Sequence, residues 1–381
     1  MRGSVVKRGK TYSFVLPLER DPETGRKRQK WVGGFRTKKA CEAALAEALG
    51  RVHAGTFAAD SGRMTVREYA KDWLAAIEST VRPSTFYSYA LVMNSYVVPR
   101  LGRLRLSALT PAQLGRFYAE LGTSGGKTGG SLSPTTVRYA HTVLGKALQD
   151  AVGWGLIARN VARAAKPPRK ATPNMTVWSP AEARRFVELV RDDRLYALWF
   201  LLLTTGLRRG EAVGLRWADI DLEGGVLSVS RAIASVEGVA METEPKTVKG
   251  RRAIALDPAT VDALRTHLER QTAERELVGD GWTESGAVFP YPDGRTLHPD
   301  HVMVTFRRLV TGAGLPLIRL HDLRHTAATL ALAAGVHPKV VQERLGHSSI
   351  GITLDTYSHV VQGMQAEAAA KVAGLLLPGS E

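Results

Sequence analysis

Between His321 and Tyr357 the chain reads HDLRHTAATLALAAGVHPKVVQERLGHSSIGITLDTY. Leu320, Leu323, Ala327 and Leu330 recur at helical spacing, and His321 and Arg324, three apart, share one face of that predicted helix. Gly335-Val336-His337-Pro338 is a helix stop followed by a proline-led helix start. The second helix ends at Leu345-Gly346, so His347 falls in the loop beyond it and Tyr357 follows ten residues later. Imidazole and guanidinium donors suit a phosphate, and a lone tyrosine downstream points to phosphodiester chemistry with Tyr357 as nucleophile. Two plainer readings stand beside this one. Leu354, Tyr357 and Val361 also fit an ordinary packing stripe, and His321 with Arg324 fits a solvated face. His321 and His325 have the four-residue spacing of zinc hydrolases, but Asp322 stands where a glutamate is needed and no third ligand is evident, so no metal is expected.

The chain has 381 residues, enough for two or three domains, and carries a formal net charge of +16. The charge is unevenly spread: +8 over residues 1–58, +10 over 59–172 and −2 over 173–381. The first two segments therefore suit a polyanion, and the last suits chemistry. A single cysteine, Cys41, excludes an internal disulfide and fits a reducing compartment. The N-terminus lacks a signal-peptide apolar core, and the apolar run Leu195–Leu203 is too short to span a bilayer, so membrane attachment is not expected.

Residues 1–58 read as a small sheet followed by a helix. Thr11–Leu16 alternates as a strand should, Asp21–Gly25 is a turn cluster, Lys27–Phe35 resumes extended character, and Thr37 caps an alanine-rich helix through Leu49. Lys7, Arg8, Lys10, Arg26, Lys27, Arg28 and Lys30 flank the strands, and such a sheet can enter a major groove. Residues 60–165 read as all-helical, with helices beginning at Thr65, Ser84, Thr110-Pro111 and Ser133-Pro134 and running to Ile77, Tyr96, Leu121 and Ala151. Arg100, Arg103, Arg105, Lys146, Arg159 and Arg163 are candidates for a phosphate-contacting surface there. The loop Gly122–Gly130 has the look of a P-loop, but Leu121 occupies the place of its first glycine and a helix precedes it, so ATP binding is rejected. Lys166–Pro173 is a proline-rich basic linker.

Ser179-Pro180 opens the third segment, followed by a buried helix over Tyr196–Leu203. Thr204-Thr-Gly-Leu-Arg208-Arg-Gly-Glu211 then makes a turn whose glycines present Arg208 at a fixed angle, with Glu211 close enough to orient it. Strands are expected over Val226–Ile233, Val239–Thr243 and Arg252–Leu256. Lys246 lies on the hairpin joining the last two, where spacing alone makes it no more than exposed charge. A long helix begins at Asp257-Pro258 and another spans Pro299–Thr311.

Taken in order, Thr205-Gly-Leu-Arg208-Arg-Gly-Glu211 with Leu215, Pro245-Lys246-Thr247, His321-Asp-Leu-Arg324-His-Thr, Leu345-Gly-His347 and Leu354-Asp-Thr-Tyr357 resemble the tyrosine recombinases, the phage-type integrases. Each motif alone is weak; five in the right order are specific. Residues 1–58 are similar to the family's arm-type DNA-binding domain, 59–165 to its helical core-binding (SAM-like) domain, and 174–381 to its catalytic domain, with 166–173 as linker. The implied fold is multi-domain α+β: a three-stranded sheet plus helix, an all-α domain, and a mainly α catalytic domain with a small antiparallel sheet.

The resemblance implies roles residue by residue. Tyr357 attacks the scissile phosphate and forms a 3′-phosphotyrosyl bond, releasing a 5′-hydroxyl. Arg208 and Arg324 clamp the non-bridging oxygens, His321 and His347 hydrogen-bond the phosphoryl group and assist proton transfer, and Lys246 protonates the departing oxygen. Glu211 braces the Arg208 turn, and His325 has a supporting role. The chemistry agrees with this allocation. A phenol that is mostly protonated at neutral pH needs positive surroundings and a proton acceptor, and planar guanidiniums suit charge growing on phosphoryl oxygens. The implied partners are double-stranded DNA at core and arm sites and a homotetramer on that DNA; need for an excision or host DNA-bending factor stays open. No cofactor is implied, since a phosphotyrosyl ester keeps the energy needed to rejoin. The expected location is the nucleoid-associated cytoplasm of a bacterial host. Residues 365–377 read as a helix with an apolar end that can dock on a neighbouring protomer or on its own domain.

Overall fold

The computed structural model describes residues 3–17, 29–53, 63–126, 129–170, 176–244, 250–351, 353–354, 369 and 373. The chain divides into two compact units, Met1–Thr172 and Pro173–Glu381.

In the first unit, β1 (Ser4–Arg8), β2 (Thr11–Pro17) and β3 (Gln29–Phe35) form an antiparallel sheet in that order, followed by α1 (Lys38–His53). Period-2 alternation divides the sheet into two faces. Phe14 and its cross-strand partner Val32 join Leu16, Cys41, Leu45 and Ala48 in a small core beneath α1. Val15 and its partner Trp31 lie on the opposite face, where the Arg8 guanidinium sits 4.3 Å from the Trp31 ring. Thr37 accepts a bond from the Ala40 N–H at 3.2 Å, as expected of a helix cap.

The helices α2 (Val66–Ile77), α3 (Pro83–Val92), α4 (Val98–Leu101), α5 (Pro111–Ser124) and α6 (Pro134–Gly153) enclose a separate core that includes Trp73, Met93, Phe117 and Leu144. Thr65 with Glu68 and Thr110 with Gln113 make reciprocal capping boxes. The helix expected to stop at Tyr96 continues to Leu101 through a π-helical turn, Met93–Val97. Pro99 explains the widened turn: its ring lacks an N–H and crowds the carbonyl four residues back, and a π turn relieves that clash without ending the helix.

The second unit comprises α7 (Pro180–Leu189), α8 (Tyr196–Thr205), α9 (Arg209–Val213), β4 (Ile220–Asp221), β5 (Val226–Val229), β6 (Ala232–Val236), β7 (Val239–Thr243), β8 (Arg252–Ala255), α10 (Pro258–Val278), α11 (Pro299–Gly312), α12 (Asp322–Ala333) and α13 (Pro338–Leu345). Helix α8 is apolar almost all round and therefore central. Its Trp199 packs with Phe186 and Phe306, which also meet Trp178, the ring centroids lying 5.0–6.5 Å apart. The Trp178 indole N–H donates to the Pro316 carbonyl, and its backbone N–H donates to Thr326 Oγ1, which ties this aromatic core to α12.

Two strand expectations need correction. Val226–Ile233 is not one strand: β5 pairs with β4 and β8, whereas β6 pairs with β7 in a second sheet. Asp219 causes the break, since Ser230 Oγ donates to one of its oxygens at 2.8 Å and the Arg231 guanidinium pairs with the other. β7 and β8 belong to different sheets and do not pair as the two arms of a hairpin. Lys246 itself, like the turn at Asp21–Gly25, lies outside the described residues.

Candidate active site

Two helix ends build the floor of the site. Helix α8 stops at Gly206 in the left-handed conformation (φ +67°), and α13 stops the same way at Gly346 (φ +66°). A Cβ on Gly206 would lie 2.6 Å from Leu345 Cδ2, so the two turns approach closely because glycine is there. Arg324, on the first turn of α12 and only 3% exposed, reaches between them. Its Nη1 donates to the Gly206 carbonyl at 2.7 Å and its Nη2 to the Leu345 carbonyl at 2.6 Å. One guanidinium thus joins the turn leading to Arg208 with the turn leading to His347.

Arg208 is the N-cap residue of α9, and its side chain is 41% exposed. Glu211 holds it twice, accepting from the Arg208 backbone N–H at 3.0 Å and from Nη1 at 2.7 Å. The Glu211 carboxylate is itself buried. Burial pushes its pKa up, but the bonds and charge of Arg252, then those of Arg208, outweigh burial and keep the carboxyl below its ordinary range.

His321 stands at the N-terminal boundary of α12, three residues before Arg324 and without a side-chain capping bond, and its ring meets that of His325 edge to face with centroids 5.1 Å apart. His347 follows α13, with Nδ1 2.9 Å from Thr353 Oγ1. Its backbone carbonyl accepts from Gln342 Nε2 at 2.5 Å. Both His321 and His347 are pushed down to about 4, first by burial. For His321 the nearby His325, Arg324 and Arg208 add to this against Asp322; for His347 it is Arg324, Arg208, His325 and Arg252. Both imidazoles are therefore neutral near pH 7, each with hydrogen-bonding capacity as donor or acceptor. His325 is lowered as well, chiefly by burial, with Asp322 opposing. Asp322, considered in the sequence as a stand-in for a zinc-site glutamate, is a buried partner of Arg319, which donates to it from Nη2 at 2.8 Å and from Nε at 3.0 Å.

Arg208, Glu211, His321, Arg324, His325 and His347 thus gather around the joined ends of α8 and α13. Lys246 and Tyr357, along with residues 365–368, lie outside the described residues. Three contributors were missed in the sequence: Arg252, Arg344 and Thr353. Arg252 had a readable signal, since it falls in register with inward-facing Ile254 on an alternating strand. The contact of Thr353 with His347 had none.

The candidate DNA-contacting residues fare differently. Lys7, Arg8, Lys10, Arg103, Arg105 and Arg159 are exposed. Arg100 is committed to Glu120 at 2.9 Å, Lys146 to Asp150 at 2.9 Å, and Arg163 to Gln149 at 2.9 Å. Arg26, Lys27 and Arg28, and the side chain of Lys30, lie outside the described residues.

Comparison with known proteins agrees with this layout. Residues 179–363 match the phage integrase family, residues 4–52 an arm DNA-binding domain, and residues 65–122 a phage integrase N-terminal SAM-like domain. A tyrosine recombinase XerC-like protein of Caldanaerobacter subterraneus subsp. tengcongensis is 30% identical over 95% of this chain and 96% of its own length. The ICEBs1 integrase of Bacillus subtilis is 27% identical over 80% of this chain and 81% of its own. Among solved structures, the Tn1549 transposon integrase in complex with a circular intermediate DNA superposes with a TM-score of 0.66 at 23% identity, covering 80% of this chain and 99% of that one. A lambda integrase dimer bound to a COC′ core site gives 0.57 at 17% identity, covering 93% and 94%. With the ordered motifs of the sequence, the cation-lined site and a relative matched along nearly its whole length, the chain belongs to the tyrosine recombinase, or phage integrase, family.

Proposed function

We propose that this recombinase, a site-specific enzyme that breaks and rejoins DNA strands, does so through Tyr357 in the service of a mobile element. Arg208 and Arg324 act on the scissile phosphate. Tyr357 attacks phosphorus, the 5′-oxygen of the adjoining nucleotide leaves with a proton supplied by Lys246, and a 3′-phosphotyrosyl ester remains. Attack of a 5′-hydroxyl on that ester reverses the step and rejoins a strand, with phosphodiester bonds conserved throughout. His321 and His347, neutral in the free site, hydrogen-bond the phosphoryl oxygens and pass protons.

The observation that carries this reading is the placement of Arg324: its two carbonyl bonds bring the Arg208 turn and the His347 turn to one place. Charge that grows on phosphoryl oxygens then meets donors already fixed in position, the condition under which electrostatic stabilisation is most effective.

The exposed face of the N-terminal sheet, with Arg8 and Trp31, serves as the arm-site reader, and residues 59–165 grip core DNA. A homotetramer on paired duplexes is the working assembly. The test is a nicked suicide duplex carrying a site that the protein has itself selected from a randomised pool. Wild type should form a denaturant-resistant adduct and Tyr357→Phe none; equal yields would refute the assignment.

A further inference from the structure

Arg252 has no place in the five motifs, yet it is among the most fully engaged charged side chains described. Its side chain is 7% exposed and that of Glu211 5%. Nη2 and Nη1 donate to the two Glu211 oxygens at 2.9 and 3.3 Å, Nε donates to the Arg344 carbonyl at 2.6 Å, and Nη1 also reaches the Gly250 carbonyl at 3.1 Å. Arg344 returns the contact, its Nη1 donating to the Ala255 carbonyl at 3.0 Å and its Nη2 to that of Thr204 at 3.3 Å. Strand β8 and the end of α13 are thus bound in both directions.

From these contacts we infer that Arg252 is a positioning residue for strand cleavage, setting the Arg208 turn and the His347 turn in one register. The geometry is that of a hub. The carboxylate that aims Arg208 is shared with Arg252, Arg252 begins β8, and its Nε bond ends on the residue three before His347. A planar guanidinium can serve the carboxylate and a carbonyl at once, which an ammonium cannot do in the same geometry.

Charge balance makes the role testable. The charged groups facing Glu211 are Arg252 from β8 and Arg208 from its own turn. Arg209 turns away to Asp300 on α11, and Arg344 is spent on carbonyls. Without Arg252 the buried carboxylate loses its principal counter-charge, so its pKa moves upward and protonation releases Arg208 nearer neutral pH. Cleavage should then acquire an acid limb closer to neutrality, which a merely structural defect would not produce.

This inference rests on the function proposed above, and the experiment separates the two. Using the full chain and the self-selected nicked duplex, single-turnover adduct formation is followed from pH 5.5 to 8.5 for wild type, Arg252→Met and Arg252→Lys, with DNA affinity and melting temperature measured alongside. Arg252→Met should cleave roughly 100-fold more slowly, the scale of a misplaced catalytic group. Its DNA affinity should stay within about threefold (~0.65 kcal/mol) of wild type, and its acid limb should shift toward neutral pH. Arg252→Lys keeps the charge, so its limb should stay with wild type while its rate remains lowered. A wild-type rate for Arg252→Met, or a loss that follows its folded fraction with an unmoved limb, would overturn the inference. Should Arg252→Met not fold, Arg252→Lys decides, a wild-type rate overturning the inference and slow cleavage at unchanged DNA affinity supporting it. Absence of any Tyr357-dependent adduct in wild type would instead remove the proposed function.

Discussion

The two arginines assigned to the phosphate differ in what they do for the fold, and that difference can be measured. Arg324 is 3% exposed and donates to two carbonyls, on Gly206 and Leu345, that belong to separate helix ends. A charge-assisted bond contributes about 1.5–3 kcal/mol, so Arg324→Ala should cost about 3–6 kcal/mol, with two acceptors left without that donor. Arg208 is 41% exposed, and Glu211 keeps Arg252 as a partner when it is gone. Its pair is close to the exposed class, worth about 0–1 kcal/mol. At about 2–4 °C per kcal/mol for a unit of this size, Arg324→Ala should melt on the order of 10–20 °C lower and Arg208→Ala only a few degrees lower. Both should lose adduct formation by about a hundredfold or more, as when an oxyanion donor is removed. Differential scanning calorimetry of the full chain supplies the first readout and the suicide duplex the second. Equal melting temperatures for the two variants would refute the claim that Arg324 ties the site together.

Three shorter predictions follow from the same contacts. His321 and His347 sit at about 4 in the folded chain and near 6.5 when unfolded, so their contribution to stability is full above about pH 6.5 and is lost as pH falls toward 4; the melting temperature of wild type should drop across that window, and His321→Asn with His347→Asn should flatten the drop. Thr353→Val removes the hydroxyl 2.9 Å from His347 Nδ1 and should slow cleavage roughly tenfold or more without weakening DNA binding, as judged by a filter assay against single-turnover rates. Gly206→Ala places a side chain at φ +67° and against Leu345, so it should destabilise by about 1–2 kcal/mol or more in urea titration and slow cleavage as well.

What could be read from the sequence follows the range of the forces involved. Caps at Thr65, Thr110, Ser133, Ser179 and Asp257 each bond the N–H group three residues on, and the helices they begin lie where local patterning puts them. The strand over Val226–Ile233 was misread because its break depends on Asp219, which acts through tertiary contacts with Ser230 and Arg231. The π turn was missed because Pro99 acts backward on a helix that continues past it. In the site, the chemically distinctive residues were legible by type and order. Arg252 was legible only as an inward-facing strand position, in register with Ile254 and unlike its neighbour Arg251, whose side chain is 63% exposed; its partner Glu211, 41 positions away, was not.

The arrangement also explains why one cation of the site is buried and the other is open. A guanidinium that must hold two carbonyls is already oriented before DNA arrives, and its charge acts on the site without reorganisation at the moment of reaction. Arg208 has the complementary task. Its exposed fork is braced on one side by Glu211 and open on the other, so a phosphate can add bonds without breaking that brace. Burial first, and then the same cations, push the two imidazoles into their neutral forms in the free site. An anionic phosphodiester between them offsets that push, so docking of DNA should raise both histidines toward the range where a proton can be exchanged. Substrate binding and acid–base competence are thereby coupled through charge, with the joined ends of α8 and α13 as the frame that holds the site.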